Sequence, residues 1–374
     1  MEIQAAIARS DHADFQIEEV TLDEPRADEI LVKIMGVGLC HTDVVFKHLG
    51  TAVHPMPAVF GHEGSGIVEK IGAQVTKVKP GDRVTISFRS CGQCDHCDSG
   101  APPYCRTMPA LNYAGARTDG STAIRNANGP IASNFFGQSS FASHALTYER
   151  NVVPVPEDFP LEMAGPLGCG IQTGAGGVIN SLAAKAGSSI VILGGGSVGL
   201  SAVMGAKVQG CAIIIVVEPM AARRDLALEL GATHALDPAA IASITEAVRQ
   251  ITPIGVDYAF DTTGVPSVMA DTMGALGSKG VFGFVGVAPP GTPAPGDINQ
   301  IITFGHTIKG IIEGDSDPDV FIPALMEHYK AGRLPLDRMI KLYPLSAIND
   351  AIKEQAMGVC VKAVLVPDAV WVGQ

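Results

Sequence analysis

Four cysteines stand at positions 91, 94, 97 and 105, in CGQCDHCDSGAPPYC. They open a stretch, residues 91–140, that is rich in Gly, Ser, Asn and Pro and follows neither the helical nor the strand period. A loop that long inside a compact domain needs a function or an external staple. Three thiolates within seven residues, with a fourth eight residues on, can close a tetrahedral S4 shell around one zinc ion. A closed shell leaves no position open for chemistry; it takes the place of a hydrophobic core beneath the loop. The same thiols could form a redox Cys-x2-Cys or two disulfides, but the spacing favours structural zinc on Cys91, Cys94, Cys97 and Cys105.

The rest of the chain follows two rhythms. Residues 1–90 read as strands and turns, with ILVKIMGVGL (30–39) and GSGIVEKIG (64–72) β-branched and glycine-punctuated and VKPGDRV (78–84) a Pro-Gly turn into a strand. Strand returns over 141–160. From about 170 the pattern alternates: helix 175–186, strand 189–196, helix 197–210, strand 211–219, helices 222–230 and 239–250, strand 256–263, helix 265–276 and strand 280–287. Such alternation predicts a doubly wound parallel sheet. After 313 the rhythm breaks into a helix (318–331), a strand near 342–345, a helix (346–357) and a strand (361–367). The expected organisation is a first domain over 1–170, a doubly wound domain over 171–312, and a tail, 313–374, that returns to the first. The 374 residues and a hydrophobic fraction of 47% suffice for two cores.

The stretch VILGGGSVGL carries GxGxxG at Gly194, Gly196 and Gly199. It follows an apolar strand and opens a helix, and Glu218 closes the next strand, so the context is that of a dinucleotide fingerprint. Glu218 would accept hydrogen bonds from the adenosine ribose and repel a 2′-phosphate, which favours NAD over NADP. Arg223 and Arg224 pull the other way.

Cys40 in GLCHTD, His62 in GHEG and Cys169 in GPLGCGIQTG each sit among glycines at strand–loop junctions. A Cys2His shell with an open fourth position is a catalytic zinc arrangement. Spacing alone leaves the alternative that the cysteines are small buried residues and the histidine satisfies a carbonyl.

CHTD, GHEGSGIVEKIG, VKPGDRV, the four-cysteine loop, GCGIQTG and LGGGSVGLSAVMGAK occur in an order and at spacings that resemble the zinc-dependent medium-chain alcohol dehydrogenases, across essentially the whole chain. Within that family the sequence looks most like the bacterial aryl-alcohol (benzyl-alcohol) dehydrogenase branch. The resemblance implies an α/β protein: a GroES-like β-barrel catalytic domain with an inserted Rossmann domain. It implies two zinc ions per chain, the catalytic one on Cys40, His62 and Cys169, and reversible NAD-dependent oxidation of a primary alcohol. Asp43 matches the carboxylate that orients the ligating histidine, and Glu63 the acid behind the metal. Lys362 stands where the family often has an arginine facing that acid, and is counted with the cofactor residues. Thr42 matches the hydroxyl that takes the substrate proton, and His41 a basic position touching the pyrophosphate. Thr173 and Val198 match residues pressing on the nicotinamide, and the backbone near Val285 and Val287 should hold its carboxamide. Val45 replaces the histidine that often ends the proton relay, leaving water or His48 as terminal base. Ser87 replaces a bulky aromatic, which suggests room for a ring or a branched substrate.

A rival within the class oxidises S-(hydroxymethyl)glutathione, whose charge would want a basic pocket mouth; Arg89, Arg117 and Arg125 lie in suitable loops. A non-catalytic NAD-binding scaffold would predict a missing zinc ligand, and all seven are present. A net charge of −12 without a basic block speaks against nucleic acid as a partner. The first residues do not read as a signal peptide, and the longest apolar run, AIIIVVE (212–218), is too short to span a membrane. The expectation is a cytoplasmic protein with an alcohol or aldehyde as its small-molecule partner. By analogy it is a homodimer, with a homotetramer as the alternative, pairing through an open edge strand at 280–287 and the segment after it.

Overall fold

The computed structural model describes residues 1–373. The chain divides into two units: Met1–Cys169 with Asp317–Lys330 and Leu336–Gln374, and Gly170–Ser316 with Ala331–Pro335. Residues 313–316, expected to open the returning tail, therefore stay with the second unit.

The first unit begins with β1 (Glu2–Ala8), β2 (Gln16–Leu22), β3 (Glu29–Gly38), α1 (His41–Leu49), β4 (Ala58–Val59), β5 (Gly64–Ile71) and β6 (Arg83–Ile86). The cysteine-rich segment holds two short helices, α2 (Asp95–Asp98) and α3 (Met108–Tyr113). Then come β7 (Ile124–Asn126), β8 (Gly129–Ile131), β9 (His144–Tyr148) and β10 (Val152–Pro154). α1 was not expected, because Val44 and Val45 imitate a strand. Its ends obey helix rules nonetheless: Asp43 lies in the first turn, Lys47 and His48 in the last, and Gly50 follows with φ 59°.

The second unit carries α4 (Gly170–Gly176), which continues in a π turn to Ser181, then β11 (Ser189–Leu193), α5 (Ser197–Gln209), β12 (Ile213–Val217), α6 (Ala221–Leu230) and β13 (His234–Leu236). There follow α7 (Ile244–Ile251), β14 (Val256–Asp261), α8 (Pro266–Thr272), β15 (Leu276–Phe284), α9 (Ile298–Phe304) and β16 (Thr307–Gly310). The tail supplies α10 (Pro318–Lys330), β17 (Ile340–Pro344), α11 (Ile348–Ala356) and β18 (Lys362–Val366).

The first unit has a five-stranded sheet, β4-β1-β2-β7-β8, and a seven-stranded one, β10-β6-β5-β3-β18-β17, with β9 also paired to β3. The second unit has a six-stranded parallel sheet, β13-β12-β11-β14-β15-β16. β11 and β12 are almost wholly apolar, SIVIL and IIIVV, as strands covered on both faces tend to be. The helix expected at 175–186 starts five residues earlier and ends at 181. Its glycine-rich start, GIQTGAG, reads as a turn, but glycine is what lets α4 approach α5: a Cβ on Gly174 would fall 2.0 Å from the Val198 carbonyl. The open edge expected at 280–287 is not there. β15 is paired on both sides, and the edge is β16, whose four residues are too short to signal a strand.

Two arginines offered as substrate contacts are paired with carboxylates. Arg117 is buried and forks onto Glu29 at 2.6 and 2.9 Å while reaching Asp23 at 2.9 Å. Arg125 also pairs with Asp23. Removing one partner of a buried pair strands the other charge, at a cost of about 3–5 kcal/mol. Arg117→Ala should therefore lower the melting temperature by about 10 °C; a melt within about 2 °C of the parent would show that Glu29 needs no counter-charge. The third, Arg89, lies with its guanidinium carbon 3.3 Å from the Tyr148 ring centroid.

Candidate active site

Sheet register explains how residues 40, 62 and 169 meet. β3 and β5 run antiparallel with Val37 opposite Gly64, so the chain leaving β3 and the chain entering β5 share one end of the sheet. Cys40 lies just past β3, and His62 just before β5. β6 pairs with β5, Thr85 opposite Ser65, and ends at the same place. There the Ser87 hydroxyl donates to the Gly168 carbonyl at 2.7 Å, tying that strand end to the segment bearing Cys169. Ser87 is thus fully buried, with its hydroxyl spent on structure. β18 pairs with β3, Val364 opposite Gly38, and brings in Lys362. Ligand atoms of Cys40, His62, Glu63 and Cys169 all lie within 4.8 Å of one another.

Asp43 organises this group. Its carboxylate accepts from His62 Nδ1 at 2.9 Å, from the Gly61 amide at 3.0 Å and from the Cys40 amide at 3.1 Å. The bond to Asp43 puts the proton on Nδ1 and leaves the Nε2 lone pair facing away. Nε2 is buried and has no hydrogen-bond partner among the described residues. An orphaned imidazole nitrogen beside two cysteine sulfurs fits a metal ligand. The electrostatics agree. A hydrogen bond with Cys169 holds Cys40 well below the ordinary thiol range against burial, with help from His62. Burial opposes charge on His62, yet Asp43 and Cys40 raise it well above its usual value. The field here favours a cation.

Lys362 Nζ lies 2.6 and 2.8 Å from the two Glu63 carboxylate oxygens and 3.2 Å from the Leu39 carbonyl, all buried. Burial would strip its charge, but Glu63 holds its pKa above the usual lysine value. Lys362 therefore balances Glu63 behind the metal ligands, leaving two thiolates to neutralise a dication. Glu63 comes close because residue 38 is glycine: a Cβ there would fall 1.9 Å from its carboxylate oxygen.

Sequence reading missed the shell around His62. Gln138 donates to the His62 carbonyl at 2.9 Å and accepts from the Gly64 amide at 3.0 Å, fixing the backbone on both sides of the ligand. Phe136 stacks on the His62 ring with centroids 4.4 Å apart, and Tyr113, Phe135 and Phe46 continue the cluster at 4.8–5.5 Å. In a chain with only 5% aromatics, the FF pair at 135–136 was the available signal. Thr42 is half-buried, His41 and His48 are exposed, and all three lie on α1.

The four-cysteine site fits its metal by distance. Zinc–sulfur bonds of about 2.3 Å in a tetrahedron put sulfurs about 3.8 Å apart. Cys94 and Cys97 sulfurs are 3.6 Å apart, and those of Cys91 and Cys97 4.0 Å. Cys105 Sγ accepts from the Cys91 amide at 3.2 Å, and the four ligand atoms lie within 4.8 Å of one another. None of these contacts is a disulfide.

In the second unit the fingerprint has the geometry its residues imply. Gly194 has φ 95°, and a Cβ on Gly199 would fall 1.9 Å from the Gly194 carbonyl. A Cβ on Gly196 would meet nothing within 4 Å, which leaves the space before α5 that a pyrophosphate needs. Glu218 is buried at the end of β12 and accepts from the Gly195 amide at 2.6 Å and the Met220 amide at 2.8 Å. Arg224 is committed to the carbonyls of Glu218 and Pro219, at 2.8 and 2.7 Å, and to Asp237 at 3.0 Å. Arg223 is half-buried in the first turn of α6. Thr173 and Val198 lie on α4 and α5, two helices that pack against each other. The Val285 amide donates to the Asp261 carbonyl at 2.9 Å, and Val287 is exposed.

Among the described residues no helix is long and apolar enough to cross a membrane. Residues 26–157 match the alcohol dehydrogenase GroES-like domain, and residues 197–329 match the zinc-binding dehydrogenase family. The chain is 47% identical over 364 residues to geraniol dehydrogenase from Castellaniella defragrans, covering 97% of each. It superposes with a TM-score of 0.95 on an alcohol dehydrogenase zinc-binding domain protein from Burkholderia ambifaria, 48% identical over 98% of this chain and 99% of the other. With benzyl alcohol dehydrogenase from Acinetobacter calcoaceticus the TM-score is 0.94 at 40% identity, again over 98% and 99%. Metal-ligand geometry, nucleotide fingerprint and whole-chain similarity agree: the chain belongs to the zinc-dependent medium-chain alcohol dehydrogenases.

Proposed function

We propose that this alcohol dehydrogenase uses NAD to oxidise, reversibly, a primary alcohol bearing an aromatic or terpenoid group to its aldehyde. The observation that carries the substrate class is the aromatic cluster of Phe46, Tyr113, Phe135 and Phe136 against the ligand His62. An apolar wall beside the metal selects a substrate whose hydroxyl carbon is attached to flat or branched hydrocarbon. The similarity to a geraniol dehydrogenase and a benzyl alcohol dehydrogenase supports the same reading.

When bound, zinc supplies Lewis acidity to the alcohol oxygen and NAD supplies the hydride acceptor. The chain's own residues do the rest. Cys40, Cys169 and His62 hold the metal, and Asp43 fixes the histidine tautomer. Thr42 takes the alcohol proton and passes it on; with valine at position 45, water receives it. Glu218 accepts the adenosine ribose hydroxyls. The engagement of Arg224 leaves it unsuited to a 2′-phosphate, which supports NAD over NADP. Cys91, Cys94, Cys97 and Cys105 hold the second zinc. A homodimer would pair through β16.

Steady-state rates test the substrate. With NAD, kcat/KM for geraniol and benzyl alcohol should exceed that for ethanol by on the order of 100-fold, the discrimination a few buried carbons provide. A chelator that strips the catalytic zinc should abolish all three rates. A preference for S-(hydroxymethyl)glutathione would move the enzyme to the rival branch, although Arg117 and Arg125 are already committed to carboxylates.

A further inference from the structure

Glu313 is a buried carboxylate that the reaction as described does not use. It opens a run of three residues with left-handed backbone: Glu313 at φ 50°, Gly314 at 64° and Asp315 at 51°. Non-glycine residues rarely adopt this conformation, and such strain persists where surrounding contacts over-determine it, commonly at ligand clamps. Here the contacts come from α4 and its π turn. Gln172 Nε2 and the Thr173 hydroxyl donate to Glu313 Oε2 at 3.1 and 3.3 Å. The Ser316 hydroxyl donates to the Gln172 side-chain carbonyl and to the Glu313 backbone carbonyl. Asn180 donates to the Gly314 carbonyl at 3.3 Å, and Ser181 to Asp315 at 2.5 Å. A Cβ on Gly314 would fall 2.3 Å from the Gln172 carbonyl, so the run sits tightly on the helix.

Sheet topology says which part of the cofactor this run serves. In a doubly wound sheet the dinucleotide lies across the carboxyl ends of the strands, with its pyrophosphate at the first helix N-terminus. Glu218 ends β12, on one side of the central β11, and so marks the adenosine half. The nicotinamide half then belongs over β14, β15 and β16, on the other side of β11. The run 313–315 follows the carboxyl end of β16. Resting on the dinucleotide reading above, we propose that Glu313 positions Thr173 on the nicotinamide side and that its buried carboxylate favours the oxidised, cationic ring over the neutral reduced one. A charge shielded from water acts more strongly than one at the surface.

The test is binding without turnover. Dissociation constants for NAD+, NADH and ADP-ribose would be measured by titration calorimetry for the zinc-loaded wild type, Glu313→Gln and Glu313→Asp. Glu313→Gln keeps shape and an acceptor but removes the charge. It should weaken NAD+ relative to NADH by about tenfold, the low end of what a nearby opposite charge does to an equilibrium. ADP-ribose, which lacks the ring, should bind all three proteins within about twofold of each other, a change too small to reflect a lost charge contact. Glu313→Asp, which keeps the charge, should retain most of the wild-type ratio. An unchanged NAD+ to NADH ratio in Glu313→Gln overturns the proposal. So does a parallel loss of ADP-ribose, which would mark Glu313 as a support for the whole unit. If the wild type binds none of the three ligands, the dinucleotide reading itself fails and the inference with it.

Discussion

Cys40→Ser is expected to lower kcat by on the order of 1000-fold while NAD affinity stays near that of the parent. The magnitude follows from the metal. Lewis-acid stabilisation is worth several kcal/mol of barrier, and each 1.36 kcal/mol is about tenfold in rate. Serine cannot replace the thiolate, because its hydroxyl stays protonated where Cys40 is held well below the ordinary thiol range by Cys169 and His62. The shell would lose one of two anionic ligands, and zinc content should fall from two ions per chain to one. NAD binding should survive because Gly194, Gly196, Gly199 and Glu218 all lie in the other unit. Metal analysis and a cofactor titration on the same preparation check both halves. Full turnover with two zinc ions retained would remove Cys40 from the shell.

Much of the fold was legible because its signals are local. Continuous apolar strands, glycines at a strand end and a helix directly after them determined the second unit. Where local preference and tertiary context disagree, the reading failed. Val44 and Val45 look like strand but lie on α1, and GIQTGAG looks like turn but forms α4, because only small residues let that helix meet α5. β16 was missed since four residues carry no period, and with it the true sheet edge.

The candidate site divides the same way. Four cysteines within fifteen residues announce themselves. Cys40, His62 and Cys169 do not, because what unites them is the register of β3, β5 and β6; resemblance supplied that grouping before geometry did. The arginines show the opposite failure. Arg117 looks available in sequence, yet Glu29, 88 residues away, takes its Nε and one terminal nitrogen, and Asp23 takes the other. The aromatic cluster showed only as the FF pair at 135–136 and Glu313 not at all, because their meaning lies in neighbours that only the folded chain supplies.

Cys94→Ser should act on stability where Cys40→Ser acts on rate. Beyond Asn112, hydrogen-bonded to the Arg89 backbone, and Tyr113, packed on Phe46 and Phe136, both at its far end, the segment 91–113 has little else to hold it. α2 has four residues and α3 six, far below the length at which a helix stands alone. The Arg106–Asp95 pair, though bidentate at 2.6 Å, is exposed and contributes little. Buried side chains are few: Pro102, Pro103, Cys105, Met108 and Asn112. Zinc on four thiolates is worth about 10–16 kcal/mol in small zinc domains, which sets the scale of the staple. Because the segment can unravel while the sheets persist, only part of that appears as lost global stability. A loss of about 4 kcal/mol corresponds to a melting temperature lower by about 10 °C. The variant should bind one zinc instead of two, and Cys91, Cys97 and Cys105 should react with an alkylating reagent that spares them in the parent. At temperatures where the variant stays folded, kcat per catalytic zinc should remain within a few-fold of the parent, since the S4 shell has no open position to lose. A variant that melts with the parent and keeps both zinc ions would show that the loop is held by its own packing and not by the metal.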